Sequence, residues 1–71
     1  MGKLRPVEGK QLIKVLCNHY GFVAVRQRGS HVTLTNGIVY ITVPVKEIRV
    51  GLLSVILKDC GVPQDEFLSR V

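Results

Sequence analysis

Cysteine, long apolar runs and acidic side chains are all scarce in this sequence of 71 residues. Two cysteines, Cys17 and Cys60, are too few for the disulfide framework of a small secreted protein, and both lie in apolar stretches. We therefore expect reduced, buried thiols in a cytoplasmic protein. The apolar run VGLLSVIL is far too short to cross a membrane, and no signal peptide is recognisable at the N-terminus.

The acidic and histidine residues show no pattern typical of a metal site or a cofactor. The five acids are few and lie mostly near the C-terminus, which excludes paired-carboxylate chemistry. His19 and His31, together with two apparently buried cysteines, do not have the spacing of metal ligands. We expect no metal and no cofactor.

The positive charge is concentrated in one half of the sequence. Residues 1–46 contain seven basic side chains and one acidic one, whereas residues 47–71 contain three basic and four acidic ones. The basic half includes the segment RQRGSH, residues 26–31. A basic surface of this kind favours a polyanionic partner, with nucleic acid the first candidate and an acidic protein the second.

Apolar spacing predicts a single α+β domain spanning residues 1–71. Helical periodicity marks a first helix from Glu8 to Tyr20 and a second over residues 50–60, and Pro63 begins a short third helix. Three β-branched segments lie between the first two helices, separated by Gly29-Ser30 and Asn36-Gly37, which are typical of type II′ and type I′ hairpin turns. The predicted order is α-β-β-β-α, a three-stranded antiparallel sheet with helices on one face.

Two-residue turns fix which residues lie opposite each other in this sheet. Arg28 should pair with His31, Val25 with Leu34, and His31 with Thr42. One face is then apolar and should lie beneath the helices: Val23, Val25, Val32, Leu34, Val39, Ile41 and Val43. The other face should be open to solvent: Ala24, Arg26, Arg28, His31, Thr33, Thr35, Ile38, Tyr40 and Thr42.

His31 is the candidate catalytic residue on the predicted open face. An imidazole is the natural proton-transfer group near neutral pH, and neighbouring arginines can bind a phosphodiester while negative charge develops on its oxygens. This combination suits RNA cleavage by attack of the 2′-hydroxyl. A solvent-facing strand histidine without a role is the alternative that the residues alone leave open. His19, near the end of the first helix, is expected to be structural.

Three segments resemble the HicA family of small bacterial and archaeal toxins: KQLIKVLCNHYGFVAVRQRGSHVTL, VPV and VGLLSVILKDCGVPQDEF. The resemblance implies a double-stranded-RNA-binding-like fold and an endoribonuclease that cleaves messenger RNA without a metal. The essential histidine of the family falls on His31, and a HicB-type antitoxin protein is the implied partner. The candidate substrate-binding residues are Arg26, Arg28, Ser30 and Lys46.

Two positions depart from the family pattern. Many members have histidine at the positions of Val32 and Lys46, so the resemblance leaves the general acid unassigned. Lysine can bind phosphate but is a poorer proton donor unless its pKa is lowered. A non-catalytic RNA-binding module and a protein-interaction module for an acidic partner therefore stay open as alternatives.

Overall fold

The computed structural model describes residues 3–71 and confirms the predicted α+β class. The elements are β1 (Val7–Glu8), α1 (Gly9–His19), β2 (Val23–Arg28), β3 (His31–Thr35), β4 (Tyr40–Pro44), β5 (Glu47–Ile48), α2 (Val50–Cys60) and α3 (Gln64–Leu68). A three-stranded antiparallel sheet has the strand order β2-β3-β4, and a second, two-stranded antiparallel sheet joins β1 to β5. The β1–β5 pair was not predicted, because strands of two residues are too short to show a period. Among the described residues, no helix has both the length and the apolar character needed to cross a bilayer.

The core lies between the helices and one face of the large sheet. Both α1 and α2 contact β4, and Leu12, Leu16 and Leu53 are completely buried against the sheet residues Leu34 and Val43. The predicted apolar stripes of both helices are therefore confirmed in outline. Leu52 is an exception, because half of its side chain remains exposed on the outer side of α2. Phe67 in α3 folds back into the core as expected.

The first hairpin has the predicted turn and, next to the turn, the predicted register; further along, the predicted pair of Val25 with Leu34 is wrong. Gly29 has a φ of +57° and no other residue type in the described chain has positive φ, so Gly29-Ser30 shows the φ signs of a type II′ turn. Arg28 pairs with His31 and Arg26 with Thr33. Glycine is required at the first of these positions because L side chains rarely adopt that conformation.

A β-bulge in β2 overturns part of the predicted face assignment. The register shifts between Ala24 and Arg26, so Ala24 pairs with Leu34 and Val23 with Thr35, while Val25 is the extra residue. The extra residue reverses the alternation beyond it, which moves Ala24 to the helix side and Val23 to the open side. Val23 and Val25 are 57% and 52% exposed instead of buried. β2 is an edge strand.

The second hairpin is closed by a four-residue loop, so the predicted two-residue turn is wrong. Thr35 pairs with Tyr40, and the Asn36 side-chain oxygen accepts hydrogen bonds from the backbone N–H groups of Ile38 (2.9 Å) and Val39 (3.0 Å). The Thr35 hydroxyl donates to the Val39 carbonyl (2.8 Å) and accepts from Gly37 N–H (3.0 Å). These side-chain bonds stabilise a longer loop than Asn-Gly alone predicts. Ile38 consequently lies in the loop and is 86% exposed.

The register of β3 with β4 differs from the predicted one by two residues, yet the predicted faces of these two strands are retained. Val32 pairs with Val43 and Leu34 with Ile41, and all four are buried. Successive side chains alternate between the two faces of a sheet, so a shift of two residues returns every side chain to its own face. Thr33 pairs with Thr42 on the opposite side.

Candidate functional site

The face of the large sheet that the helices leave uncovered contains the candidate site. We call it the open face, and it is formed by Val23, Arg26, Arg28, His31, Thr33, Thr35, Tyr40, Thr42 and Pro44. Arg26 and Arg28 are both exposed on the edge strand β2. Each lies directly across from a residue of β3, Arg28 opposite His31 and Arg26 opposite Thr33. Two arginines of the edge strand are therefore paired with the first and the third residue of the middle strand.

His31 is the first residue of β3 and follows the Gly29-Ser30 turn directly. Its side chain is exposed, and its register neighbours are Arg28 in β2 and Pro44 in β4. The predicted neighbour in β4 was Thr42, which instead pairs with Thr33 because of the longer second loop. Pro44 offers no backbone donor and no polar side chain, so Arg28 is the charged group directly across from the imidazole.

Ser30 and Lys46 lie close to this position through the backbone. The Val45 N–H donates a hydrogen bond of 2.6 Å to the Ser30 carbonyl, which holds the turn against the end of β4. Lys46 is the next residue along and is exposed. All four predicted substrate-binding residues thus lie near His31 along the backbone: Arg28 and Ser30 closest, Lys46 one residue beyond the Ser30 contact, and Arg26 two pairs further along the sheet.

Gly9 is a positioning residue that the sequence reasoning missed. It is buried at the first position of α1, and its N–H donates a hydrogen bond of 2.8 Å to the Lys46 carbonyl. A Cβ atom at this position would lie 1.8 Å from the carbonyl oxygen of Pro44. The α1 backbone therefore packs directly on the strand end that lies across from His31. The one signal in the sequence is a glycine where a helix-favouring residue would be expected.

The far end of the open face has no charged side chain. Val23, Thr35 and Tyr40 lie side by side across the three strands. Tyr40 is largely exposed, whereas Thr35 is buried, so its predicted exposure to solvent is wrong. A tyrosine in this position offers a flat ring on which a nucleic-acid base can stack. The open face thus has a cationic end around His31 and an aromatic end around Tyr40.

The two cysteines show no sign of nucleophilic chemistry. Both thiols are free, as predicted, but they are half-buried at the border of the core and not fully buried. Burial, together with the nearby charge of Asp59, raises the pKa of Cys60 to about 11, which keeps this thiol protonated and unreactive at neutral pH. Within residues 3–71, no three His, Cys, Asp or Glu side chains come together as potential metal ligands.

Comparison of the sequence with known protein families identifies the family of this chain. The family model described as the HicA toxin of bacterial toxin–antitoxin systems matches residues 9–62. The chain belongs to the HicA toxin family. No curated protein and no solved structure gives a further match.

The region matched by the HicA family contains every element of the candidate site. It begins at Gly9, the residue that packs on Pro44, and includes Arg26, Arg28, Ser30, His31 and Lys46. It ends at Val62, before α3. The protein is thus a toxin-family member of a toxin–antitoxin system, and its open face lies within the part of the chain that defines the family.

Proposed function

We propose that this HicA-family protein is an endoribonuclease that cleaves messenger RNA on the open face, with His31 as the catalytic residue. The observation that carries the proposal is the pairing of His31 with Arg28 on an exposed sheet face, with Arg26 two residues further along the same strand. An imidazole that can accept a proton and guanidinium groups that can bind a phosphate are the two requirements for cleaving RNA through its own 2′-hydroxyl.

The proposed reaction is an internal transfer at phosphorus. Neutral His31 accepts the proton of a ribose 2′-hydroxyl, and the 2′-oxygen forms a bond to the adjacent phosphorus. The bond from phosphorus to the 5′-oxygen of the next nucleotide then breaks, and that oxygen takes a proton from solvent or from a second acid. The products are a 2′,3′-cyclic phosphate and a free 5′-hydroxyl. Arg28 and Arg26 stabilise the negative charge that accumulates on the phosphate oxygens.

The test compares wild-type protein with His31→Ala and His31→Gln. Loss of a general base lowers the rate of cleavage roughly 10²- to 10⁴-fold. We expect this loss in both variants, because glutamine is polar and can hydrogen-bond but does not titrate near neutral pH. Lys58→Gln, at an exposed position in α2 outside the open face, is the control. Growth of expressing cells, RNA integrity and thermal unfolding are measured for all four proteins. Wild-type cleavage rates in both His31 variants would refute the catalytic role.

A non-catalytic RNA-binding toxin is the second candidate, favoured by a specific observation. Val32, one of the two positions where many family members have histidine, is buried on the core side of β3 and cannot reach a substrate on the open face. At the other position, Lys46 offers an amine where those members have an imidazole, and an amine suits phosphate binding better than proton transfer. This alternative predicts salt-sensitive binding of RNA that stays intact after long incubation. Cleavage that depends on His31 would exclude it.

We further propose that a HicB-type antitoxin neutralises the toxin by covering the open face. Arg26, Arg28 and Lys46 are exposed cations that suit acidic side chains on such a partner. An antitoxin that occupies the substrate surface competes directly with RNA. Titration of the antitoxin into a complex with a fluorescent RNA should therefore release the RNA. Formation of a stable ternary complex would contradict this arrangement.

A further inference from the structure

The positive charge of the folded protein is divided between two separate surfaces. Of the ten lysine and arginine residues, three lie on or beside the open face: Arg26, Arg28 and Lys46. Five others line two surface grooves that share Gln11 of α1: Lys3, Arg5, Lys10, Lys14 and Arg70. No aspartate or glutamate lines either groove. The positive charge of the sequence half that contains RQRGSH therefore lies largely away from the open face in the folded protein.

The first groove, which we call the α1 groove, has a volume of about 430 Å³. Lys10 and Lys14 lie on the same side of α1, one helical turn or roughly 6 Å apart along its axis. Asn18 continues this row by a further turn, and Arg70 forms the opposite wall. The second groove, of about 440 Å³, shares Gln11 with the first and adds Lys3 and Arg5. The other residues of the second groove, Pro6, Val7, Leu68 and Val71, are apolar, so the basic lining is clearest in the α1 groove.

Arg70 is held in place at one end of the α1 groove. Its guanidinium lies 5.7 Å from the centre of the Tyr20 ring, and its Nε–H donates to the Tyr20 hydroxyl oxygen at 3.3 Å. A second nitrogen of the same group lies 3.3 Å from Nδ1 of His19. Of the five N–H groups on a guanidinium, these contacts use two, so three remain for an anionic ligand. The Tyr20 hydroxyl donates to the Glu66 carboxylate, so one acidic side chain also lies near this end of the α1 groove without lining it.

The lining of the α1 groove suits a phosphate backbone better than a protein. Protein interfaces depend on buried aromatic or apolar anchors, and the α1 groove has no exposed apolar side chain, since its one apolar member, Val15, is buried in the core. A row of cations at intervals of one helical turn has a spacing similar to that of successive phosphates along a nucleic-acid strand. Amide side chains such as Gln11 and Asn18 commonly complete such contacts.

The α1 groove is separate from the open face. The buried side of α1, with Leu12 and Leu16, packs on the helix-covered face of the sheet, so its exposed lysines point away from that sheet. An RNA strand bound at His31 would have to pass around the edge of the domain to reach Lys14. A single short segment of RNA could therefore not occupy both surfaces.

We propose that the α1 groove is a second RNA-binding surface, which binds backbone phosphates outside the segment held at His31. The inference rests on the proposed function only in taking RNA as the ligand. In this proposal, Lys10, Lys14 and Arg70 contribute to the affinity for RNA, and the open face carries out the cleavage. Such a division increases the overall affinity without adding contacts at the cleavage site.

The test measures binding of a fluorescent single-stranded RNA with 2′-O-methyl groups on every ribose, which cannot be cleaved. Affinity is determined at several salt concentrations for wild type, Lys14→Gln and Lys58→Gln. Both variants remove one charge from an exposed helical position, and glutamine preserves helix propensity. Each lost phosphate contact lowers the slope of log affinity against log salt by about 0.7 for a single strand. We expect that decrease for Lys14→Gln and an unchanged slope for Lys58→Gln.

Equal slopes in Lys14→Gln and wild type would overturn the proposal. Equal decreases in Lys14→Gln and Lys58→Gln would overturn it too, because the effect would then come from net charge alone. Unchanged RNA binding with weaker antitoxin binding in Lys14→Gln would assign the groove to a protein partner instead. Because the probe cannot be cleaved, none of these outcomes depends on whether His31 is catalytic, which the cleavage assay decides separately.

Discussion

Replacing Gly9 with alanine tests how tightly α1 is packed on the strand end beside His31. The added Cβ would lie 1.8 Å from the Pro44 carbonyl oxygen and 2.8 Å from the Pro44 carbonyl carbon. Real Cβ atoms essentially never approach closer than 3.0 Å, so the two backbones must separate by more than an ångström at this point. Both atoms belong to the backbone, which cannot move aside as a flexible side chain can.

The expected loss is large compared with the total stability. Overpacking of a tight site costs about 1–3 kcal/mol, and a core in a domain of this size supplies roughly 3–5 kcal/mol. Helix propensity acts in the opposite direction, because alanine is favoured over glycine within a helix by about 0.5–1 kcal/mol. We therefore expect a net decrease of about 1–2 kcal/mol in the free energy of unfolding. This corresponds to a decrease of roughly 4–16 °C in Tm.

Gly51→Ala is the matched control. Gly51 also lies in the first turn of a helix, α2, but a Cβ added there meets no atom within 4 Å. This substitution should leave stability unchanged or increase it by about 0.4–1 kcal/mol. Urea unfolding followed by circular dichroism measures both variants. Gly9→Ala as stable as the wild type or more stable would refute the close packing of α1 on Pro44, and with it the positioning of the strand across from His31.

Three further predictions concern the loop, a thiol and the reaction. Thr35→Val removes the hydroxyl that donates to the Val39 carbonyl and accepts from the Gly37 N–H, at a site that is only 8% exposed. We expect the free energy of unfolding, measured with urea, to decrease by about 1–3 kcal/mol. An unchanged urea midpoint would contradict the loop structure. Because the pKa of Cys60 is raised from 9.0 to about 11 in the folded state, the unfolded chain loses this proton first as pH rises, so stability should decrease between pH 9 and 11. Cys60→Ala should remove that part of the decrease, and an identical pH profile would argue against a buried thiol. Since the proposed mechanism uses only an imidazole and guanidinium groups, cleavage should persist in EDTA; activity lost in EDTA and restored by a divalent ion would contradict it.

The sequence predicted the fold well where side-chain alternation decides the structure. Val32, Leu34, Ile41 and Val43 are buried as expected, because a sheet covered on one face requires its apolar residues on that face. The position of His31 on the exposed side, directly opposite Arg28, follows from the same alternation and from the Gly29-Ser30 turn. These are local features that a short stretch of sequence contains in full.

Features that depend on tertiary contacts could not be predicted in the same way. The bulge at Val25 adds one residue to β2, and no residue type in VAVRQR marks it. The close contact between Gly9 and Pro44 joins residues 35 positions apart, so it becomes visible only when the helix is placed on the sheet. The division of the basic residues between two surfaces is invisible for the same reason, since Arg70 joins Lys10 and Lys14 only in the folded chain.

The Asn36–Val39 loop is a suitable attachment site for a probe. It lies at the opposite end of β3 from His31, a distance of roughly 13 Å along the strand, and its tip residue Ile38 projects into solvent. A fluorophore attached to a cysteine at position 38, in a background without the two native thiols, would report binding on the open face without touching the imidazole. The same tip is the natural place to graft an affinity peptide, provided that Thr35 and Asn36 keep their hydrogen bonds to the loop backbone.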